Sequence, residues 1–335
     1  MATYRGIRGV TIPTVAGDPD NIALGDIWYN SSAKKINVGK TTAAAWASGG
    51  NMNTARAQGA SAGTQTAGLV FGGSAGPPDP GITDITESYD GSSWTEVADL
   101  NTGRRSSGGA GTQTAGLCFG GLTAAAPGGI VDIAELWNGA SWTEVGDLGT
   151  GRYYLGGCGT TTAALAISGL GIPPGGGPYR AFVESYNGTA WTEIADINTA
   201  RGKAGSFGTS TAAVYVGGAS GPGVHDLTEL WNGTAWTEVN DLPTAQSAAG
   251  SAHSGTSTAG LMFAGQPTPA MNAVAVSWDG TDWTAVASLS TARWLPFGVG
   301  TQAAAICAGG LTPSSIVTTE EWTGEYAAAA TVTSS

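Results

Sequence analysis

The chain has 335 residues, 55 of them Gly, with 11% charged side chains and a formal net charge of −12. At 41% hydrophobic with 12 Trp it can build a core, which excludes a disordered chain, and Gly without a three-residue period excludes collagen. Only four Lys occur, Lys34, Lys35, Lys40 and Lys203, so no basic stripe exists for nucleic acid, and anionic membranes are disfavoured.

The first element in chain order is residues 1–26, "MATYRGIRGVTIPTVAGDPDNIALGD". It has no core-forming pattern and reads as an extended arm, with Tyr4, Arg5 and Arg8 as candidate anchoring residues. It lacks the apolar stretch of a signal peptide, and no apolar run is long enough to span a bilayer. The expectation is synthesis in a cytoplasm outside the secretory route, with no membrane insertion. Residues 27–42, from "IWYNSSAKKINVG", read as a β-hairpin and linker holding three of the four Lys. The phrase "GDIWYN" resembles hairpins of bacteriophage tail and fibre proteins.

From residue 43 the chain repeats itself. The Trp of a "W-T-E" or "W-T-A" box falls at 94, 142, 191, 236 and 283. A second phrase, "GTQTAGLVFGG" at Gly63, returns at 111, 159, 208, 255 and 300. Each unit reads as four short strands: "RAQGASA", "AGLVFGG", "ITESY" and "WTEVADL" in the first. Asp-Gly and Asn-Gly pairs mark the third hairpin, because Gly accepts positive φ. A period of 45 to 49 residues with four strands per unit predicts a β-propeller, since one small sheet cannot bury both faces alone. "LVFGG…ESYDGSSW" resembles the kelch repeat, over residues 50–326. That resemblance implies four-stranded blades around a ring. Ser-Gly and Ala-Gly replace the Gly-Gly pair in units three and five.

The expected fold is all-β: a six-bladed propeller over residues 43–326 with a C-terminal tail at 327–335. Trp46 aligns as a fourth strand with no blade before it. The expectation is that residues 43–49 complete the sixth blade beside 315–323; residues 325–332 are the alternative. In this meander the loops from second to third strand and from fourth strand to the next unit share one rim. These vary among units, whereas the opposite turns are monotonous ("GTQT", "NGTA"), so the variable rim is the recognition candidate.

Arg56, Arg104, Arg152, Arg201 and Arg293 recur before the first strands, with Gln246 in the fifth unit. Near one mouth they would hold a carboxylate. The competing expectation is local pairing with Asp99, Asp147, Asp196 and Asp241. Tyr153, Tyr154, Tyr179, Arg180, His225 and Trp294 are unrepeated residues near the same rim and complete the candidate binding patch. Two His, three Cys (Cys118, Cys158, Cys307), no nucleophile elbow and no phosphate loop give no expected catalytic residue, metal or cofactor. The Gly/Thr/Ala-rich ring beside the hairpin resembles structural proteins of marine phages. The resulting expectation is a virion protein. Its arm would bind other virion proteins and its rim a host surface glycan or a neighbouring subunit, with homo-oligomerisation open. A lectin-like or protein-binding propeller outside any virion is the alternative, and a sugar-modifying enzyme the third.

Overall fold

The computed structural model describes residues 12–76, 81–124, 128–171, 178–221, 223–267 and 270–332. The described residues contain strands and loops and no helix. They form two compact units, residues 45–323 and the two chain ends.

The larger unit holds six four-stranded antiparallel sheets, one for each sequence repeat. Sheet one runs Ala60–Thr64, Ala67–Phe71, Thr86–Tyr89, Trp94–Val97. Sheet two runs Gly108–Thr112, Ala115–Phe119, Ala134–Trp137, Trp142–Val145. Sheet three runs Gly156–Thr160, Ala163–Leu170, Tyr179–Tyr186, Trp191–Ile194. Sheet four runs Gly205–Thr209, Ala212–Val216, Thr228–Trp231, Trp236–Val239. Sheet five runs Gly250–Ser251, Gly260–Phe263, Ala275–Trp278, Trp283–Val286. Sheet six takes Phe297–Gly300, Ala304–Ala308 and Thr319–Thr323 from the end of the unit and Ala45–Ser48 from its start. Trp46 stands opposite Trp322 in that last pair. The first strand of each sheet lies against that of the next, and Phe297–Gly300 lies against Ala60–Thr64. This architecture is compatible with a β-propeller.

The repeated phrase explains how a sheet forms and what it packs on. Asp90 leaves the third strand of sheet one and accepts hydrogen bonds from the amides of Ser92 (2.9 Å) and Ser93 (2.8 Å), while Gly91 takes φ +94°. The hairpin is therefore a four-residue loop tied by its own carboxylate. Those bonds hold the Asp90 carboxyl at about 2. The turn sets Tyr89 opposite Trp94, with ring centroids 4.8 Å apart. The other five sheets repeat this aromatic pair at 4.9–5.5 Å. The rings fill the space between neighbouring sheets, where each aromatic contributes about 150–250 Å² of burial. Near the centre the opposite constraint applies: a Cβ on Gly298 would sit 2.2 Å from the Ser251 carbonyl oxygen, so two first-strand backbones approach too closely for a side chain.

Indole N–H groups stitch sheet to sheet. Trp94 donates to Thr319 Oγ1 (3.1 Å), Trp142 to Thr86 (3.1 Å) and Trp283 to Thr228 (3.0 Å). Three sheets lack this Thr: in sheet five Ala275 takes its place, and Trp46 of sheet six donates to the Ala287 carbonyl (2.9 Å) instead. Ala134 and Val183 stand at the Thr86 position, and the buried N–H groups of Trp191 and Trp236 have no partner. Val183→Thr is nearly isosteric and supplies the acceptor that Trp236 lacks. It should raise stability by about 1 kcal/mol in denaturant unfolding, the reverse of the usual penalty for burying a hydroxyl.

At the junction of sheets six and one, the Tyr89 hydroxyl donates to Glu321, and Gln65 Nε2 donates to the Trp322 carbonyl (2.7 Å). Burial, then the bond to Glu321, pushes the Tyr89 phenol from 10 up to about 12. Below pH 10 the phenol is protonated folded or unfolded, and the bond contributes in full. Between pH 10 and about 12 only the unfolded phenol ionises, so this contribution fades as pH rises. Tyr89→Phe should lower stability at pH 8 and flatten its fall over that alkaline window, as read by pH-dependent unfolding.

In the smaller unit Thr14–Val15 pairs in parallel with Ile27–Asn30, which pairs antiparallel with Lys35–Thr42, itself flanked by Tyr326–Thr331. Asp18 accepts from Trp28 Nε1 (3.0 Å), Asn30 Nδ2 (3.0 Å) and Asn37 Nδ2 (2.7 Å), and these donors hold its carboxyl below the usual range. Residues 12–26 are thus tied into a sheet rather than extended as a bare arm. The C-terminal residues expected as a tail supply its edge strand.

Candidate functional site

The five repeated Arg do not face a channel mouth. All five are fully buried. Each reaches the Glu on the third strand of its own sheet: Arg56–Glu87 (3.1 Å), Arg104–Glu135 (2.6 Å), Arg152–Glu184 (2.6 Å), Arg201–Glu229 (2.5 Å) and Arg293–Glu320 (2.6 Å). The guanidinium groups also donate to carbonyls within their sheet, such as Gly72 for Arg56 (2.8 Å) and Ala166 for Arg152 (3.1 Å). Burial pulls the Arg56 and Arg152 pKa down, and the facing Glu opposes it. The second Glu oxygen accepts the backbone N–H of the linking segment, from Asn53, Asn101, Gly149, Asn198 or Ser290 at 2.7–2.8 Å. The five Arg are therefore structural clamps within their sheets, not the ligand contacts the sequence suggested. The expected partners Asp99, Asp147 and Asp241 accept backbone amides of Thr86, Ala134 and Thr228 instead.

Two residues beyond each clamp Arg, and beyond Gln246 in the fifth repeat, the chain turns sharply. Gln58, Ser106, Tyr154, Lys203, Ala248 and Leu295 all adopt φ between 52° and 63°. Non-Gly residues pay of order 1 kcal/mol or more for this conformation, and the neighbouring amides offset it. Each of the six donates its N–H to the carbonyl of the residue before it in this series, and Gln58 donates to Leu295, at 2.5–3.2 Å. The result is a closed circle of six backbone hydrogen bonds around a cavity of about 90 Å³.

The circle presents positions where the backbone repeats and the side chains do not. Besides the six residues above, Ala57, Arg105, Tyr153, Gly202, Ser247 and Trp294 pair with Ser74, Leu122, Leu170, Ala219, Gln266 and Leu311 of the second-to-third-strand loops. A third series shares one amide-to-carbonyl bond: Thr83, Val131, His225, Asn272 and Ile316 donate to the second Gly, or its equivalent, after the second strand. His225 is further held by Ser220 Oγ at 2.6 Å.

Repeats two to four gather the cations and tyrosines. Gln58 Oε1 accepts from Arg105 (2.7 Å), Ser106 (3.3 Å) and the Tyr154 hydroxyl (3.2 Å). Lys203 Nζ lies 4.6 Å from the centre of the Tyr154 ring, which packs at a 45° tilt 5.3 Å from Tyr153. Burial lowers the Lys203 pKa. Strand register places Tyr179 opposite Leu170 and Arg180 opposite Gly169, beside Tyr153. Burial raises the Tyr153 pKa. Trp294, Leu295 and Ala248 hold the opposite arc. Of the sequence candidates, Tyr153, Tyr154, Tyr179 and Arg180 thus stand together, and Trp294 is across the circle. Tyr4, Arg5 and Arg8 lie outside the described residues. No group of three His, Cys, Asp or Glu suited to a metal occurs among the described residues.

No family model matches the chain, and no curated protein matches it.

Gln58, Ser106, Lys203 and Arg105 escaped the sequence reading because nothing about a lone Gln or Ser announces a left-handed backbone. Aligning the repeats on the clamp Arg exposes them as the varied positions in a constant frame. The same alignment reveals a second irregularity. Seven positions separate Arg from the following Gly-Thr in five repeats, but nine separate Gln246 from Gly255. The extra length turns Ala252–Ser254 inward: His253 Nδ1 lies 3.1 Å from the Gly157 carbonyl and Ser254 Oγ donates to Gly63 (2.7 Å), both across the circle. Burial depresses the His253 pKa.

Proposed function

We propose that residues 45–323 form a six-bladed kelch-like propeller. Its varied rim binds an acidic glycan of a host surface, within a phage structural protein that the small N-terminal sheet joins to the particle. One observation carries the binding part. In a chain of net charge −12, Arg105, Arg180 and Lys203 are the cations of this unit outside the five clamps, and all three stand on repeats two to four among Tyr153, Tyr154 and Tyr179. Tyrosine faces take sugar rings, and guanidinium or ammonium groups take carboxylates. The circle of hydrogen bonds and the cyclic contact of first strands support the propeller. The virion setting is supported by the resemblance of "GDIWYN" to phage tail hairpins.

Lys203→Ala and Tyr153→Ala should each weaken binding to sialylated or uronate oligosaccharides on an array by about tenfold or more, without lowering the melting temperature. Binding should also fall as salt rises. An array silent toward acidic glycans would reject the ligand. Absence of the chain from purified particles by mass spectrometry would reject the virion setting and leave a free-standing binding propeller.

A further inference from the structure

The fifth repeat departs from the clamp at every position together. Where the other sheets carry Arg and Glu it has Gln246 and Val276, and where they offer a backbone N–H to the Glu it has Pro243, which has none. The three changes are chemically consistent: removing the carboxylate removes the need for both donors. They leave an open cavity of about 270 Å³, bounded by Leu242, Pro243, Pro267, Val274, Val276 and Ala285. Thr244, Gln246 and Asn272 are its polar lining. Asn272 Nδ2 donates to Gln246 Oε1 at 3.2 Å, and Asn272 Oδ1 is a buried acceptor without a partner. Val274 is 42% exposed at the edge.

We infer that this groove is a binding site for the acetamido group of an N-acetylated amino sugar. No charged side chain lines it, so a carboxylate or ammonium would lose its hydration without compensation. The apolar walls suit a methyl group, and Asn272 Oδ1 is an acceptor for a secondary amide N–H. A ligand lacking that N–H leaves the acceptor unsatisfied, which is how such a site discriminates. The groove is uncharged and belongs to the fifth repeat, whereas the cationic arc belongs to repeats two to four, so this inference goes beyond the rim reading.

The test titrates the full chain with methyl N-acetyl-β-glucosaminide and with methyl β-glucoside, followed by NMR. The acetamido sugar should bind at least tenfold more tightly. Asn272→Leu should remove most of that preference. A restored clamp, Pro243→Asn with Gln246→Arg, Asn272→Thr and Val276→Glu, fills the groove with the ion pair that five sheets already hold. It should fold normally and lose binding by tenfold or more. Equal binding of the two sugars, no binding of either, or undiminished binding by the folded restored-clamp variant would each overturn the proposal. Lys203→Ala should leave this binding intact, which separates its failure from failure of the rim reading.

Discussion

Glu135→Ala should cost about 3–5 kcal/mol of stability, close to the largest effect of any single substitution in this chain. The carboxylate is buried and accepts from Arg104 (2.6 Å), the Asn101 amide (2.8 Å), Asn101 Nδ2 (2.8 Å) and the Thr102 amide (3.3 Å). Removing it strands a buried guanidinium and three donors at once. The melting temperature should fall by roughly 10 °C, given about 2–4 °C per kcal/mol for domains of 150–250 residues. The fifth repeat shows that the sheet itself does not require the clamp. A chain with Asn101→Pro, Arg104→Gln, Val131→Asn and Glu135→Val carries the fifth-repeat residues into the second sheet. It should come within about 1–2 kcal/mol of wild type, because a buried ion pair replaced whole by apolar or neutral groups is often close to neutral. Calorimetry on the two variants decides the matter. If the fourfold change is as damaging as Glu135→Ala, the clamp contributes through packing volume and not through charge satisfaction.

The same comparison explains which parts of the molecule could be read from residues alone. The strand period, the hairpin turns and the aromatic pairs rest on local chemistry: Asp or Asn followed by Gly, and alternation across a strand. These are written within eighteen residues. The clamp partner was not legible, because Glu lies 27–32 residues beyond its Arg, while Arg104, Arg152 and Arg201 each have an Asp five residues before them. Proximity along the chain favoured the wrong carboxylate. Burial decides otherwise: the linking segment turns the Arg inward over its own sheet, and the Asp tethers the third strand's first amide. The hydrogen-bonded circle was hidden for a different reason. Its six residues share a backbone conformation that only Gly would have advertised. Gln246 was visible as an exception among the Arg, but its meaning depended on Val276 thirty residues later. The candidate site was therefore half legible: Tyr153, Tyr154, Tyr179 and Arg180 by their rarity, Gln58, Arg105 and Lys203 only from their placement.

Removal of the strand Ala45–Ser48 should be the other severe perturbation, although it lies far in sequence from everything it touches. Trp46 packs 5.1 Å from the Phe263 ring and 5.4 Å from Trp322, and its indole donates to the Ala287 carbonyl at 2.9 Å. Four residues pair along Glu320–Thr323. A chain starting at Asn51 leaves that edge unpaired and uncovers Trp322, which is 2% exposed in the intact unit. Trp46 itself is only partly buried, so its loss should cost less than the ~3–5 kcal/mol of a fully buried Trp, and an open hydrophobic edge strand adds a route to aggregation. Trp46→Ala in the full chain isolates the packing part and should cost about 2 kcal/mol. The ends of this unit meet without a covalent link, so a peptide spanning residues 43–50 should partly restore the melting temperature of the shortened chain in a concentration-dependent way. Full stability of the chain starting at Asn51, with no response to the peptide, would mean that sheet six holds with three strands. The meeting of the two ends would then be incidental to the stability of the other five sheets.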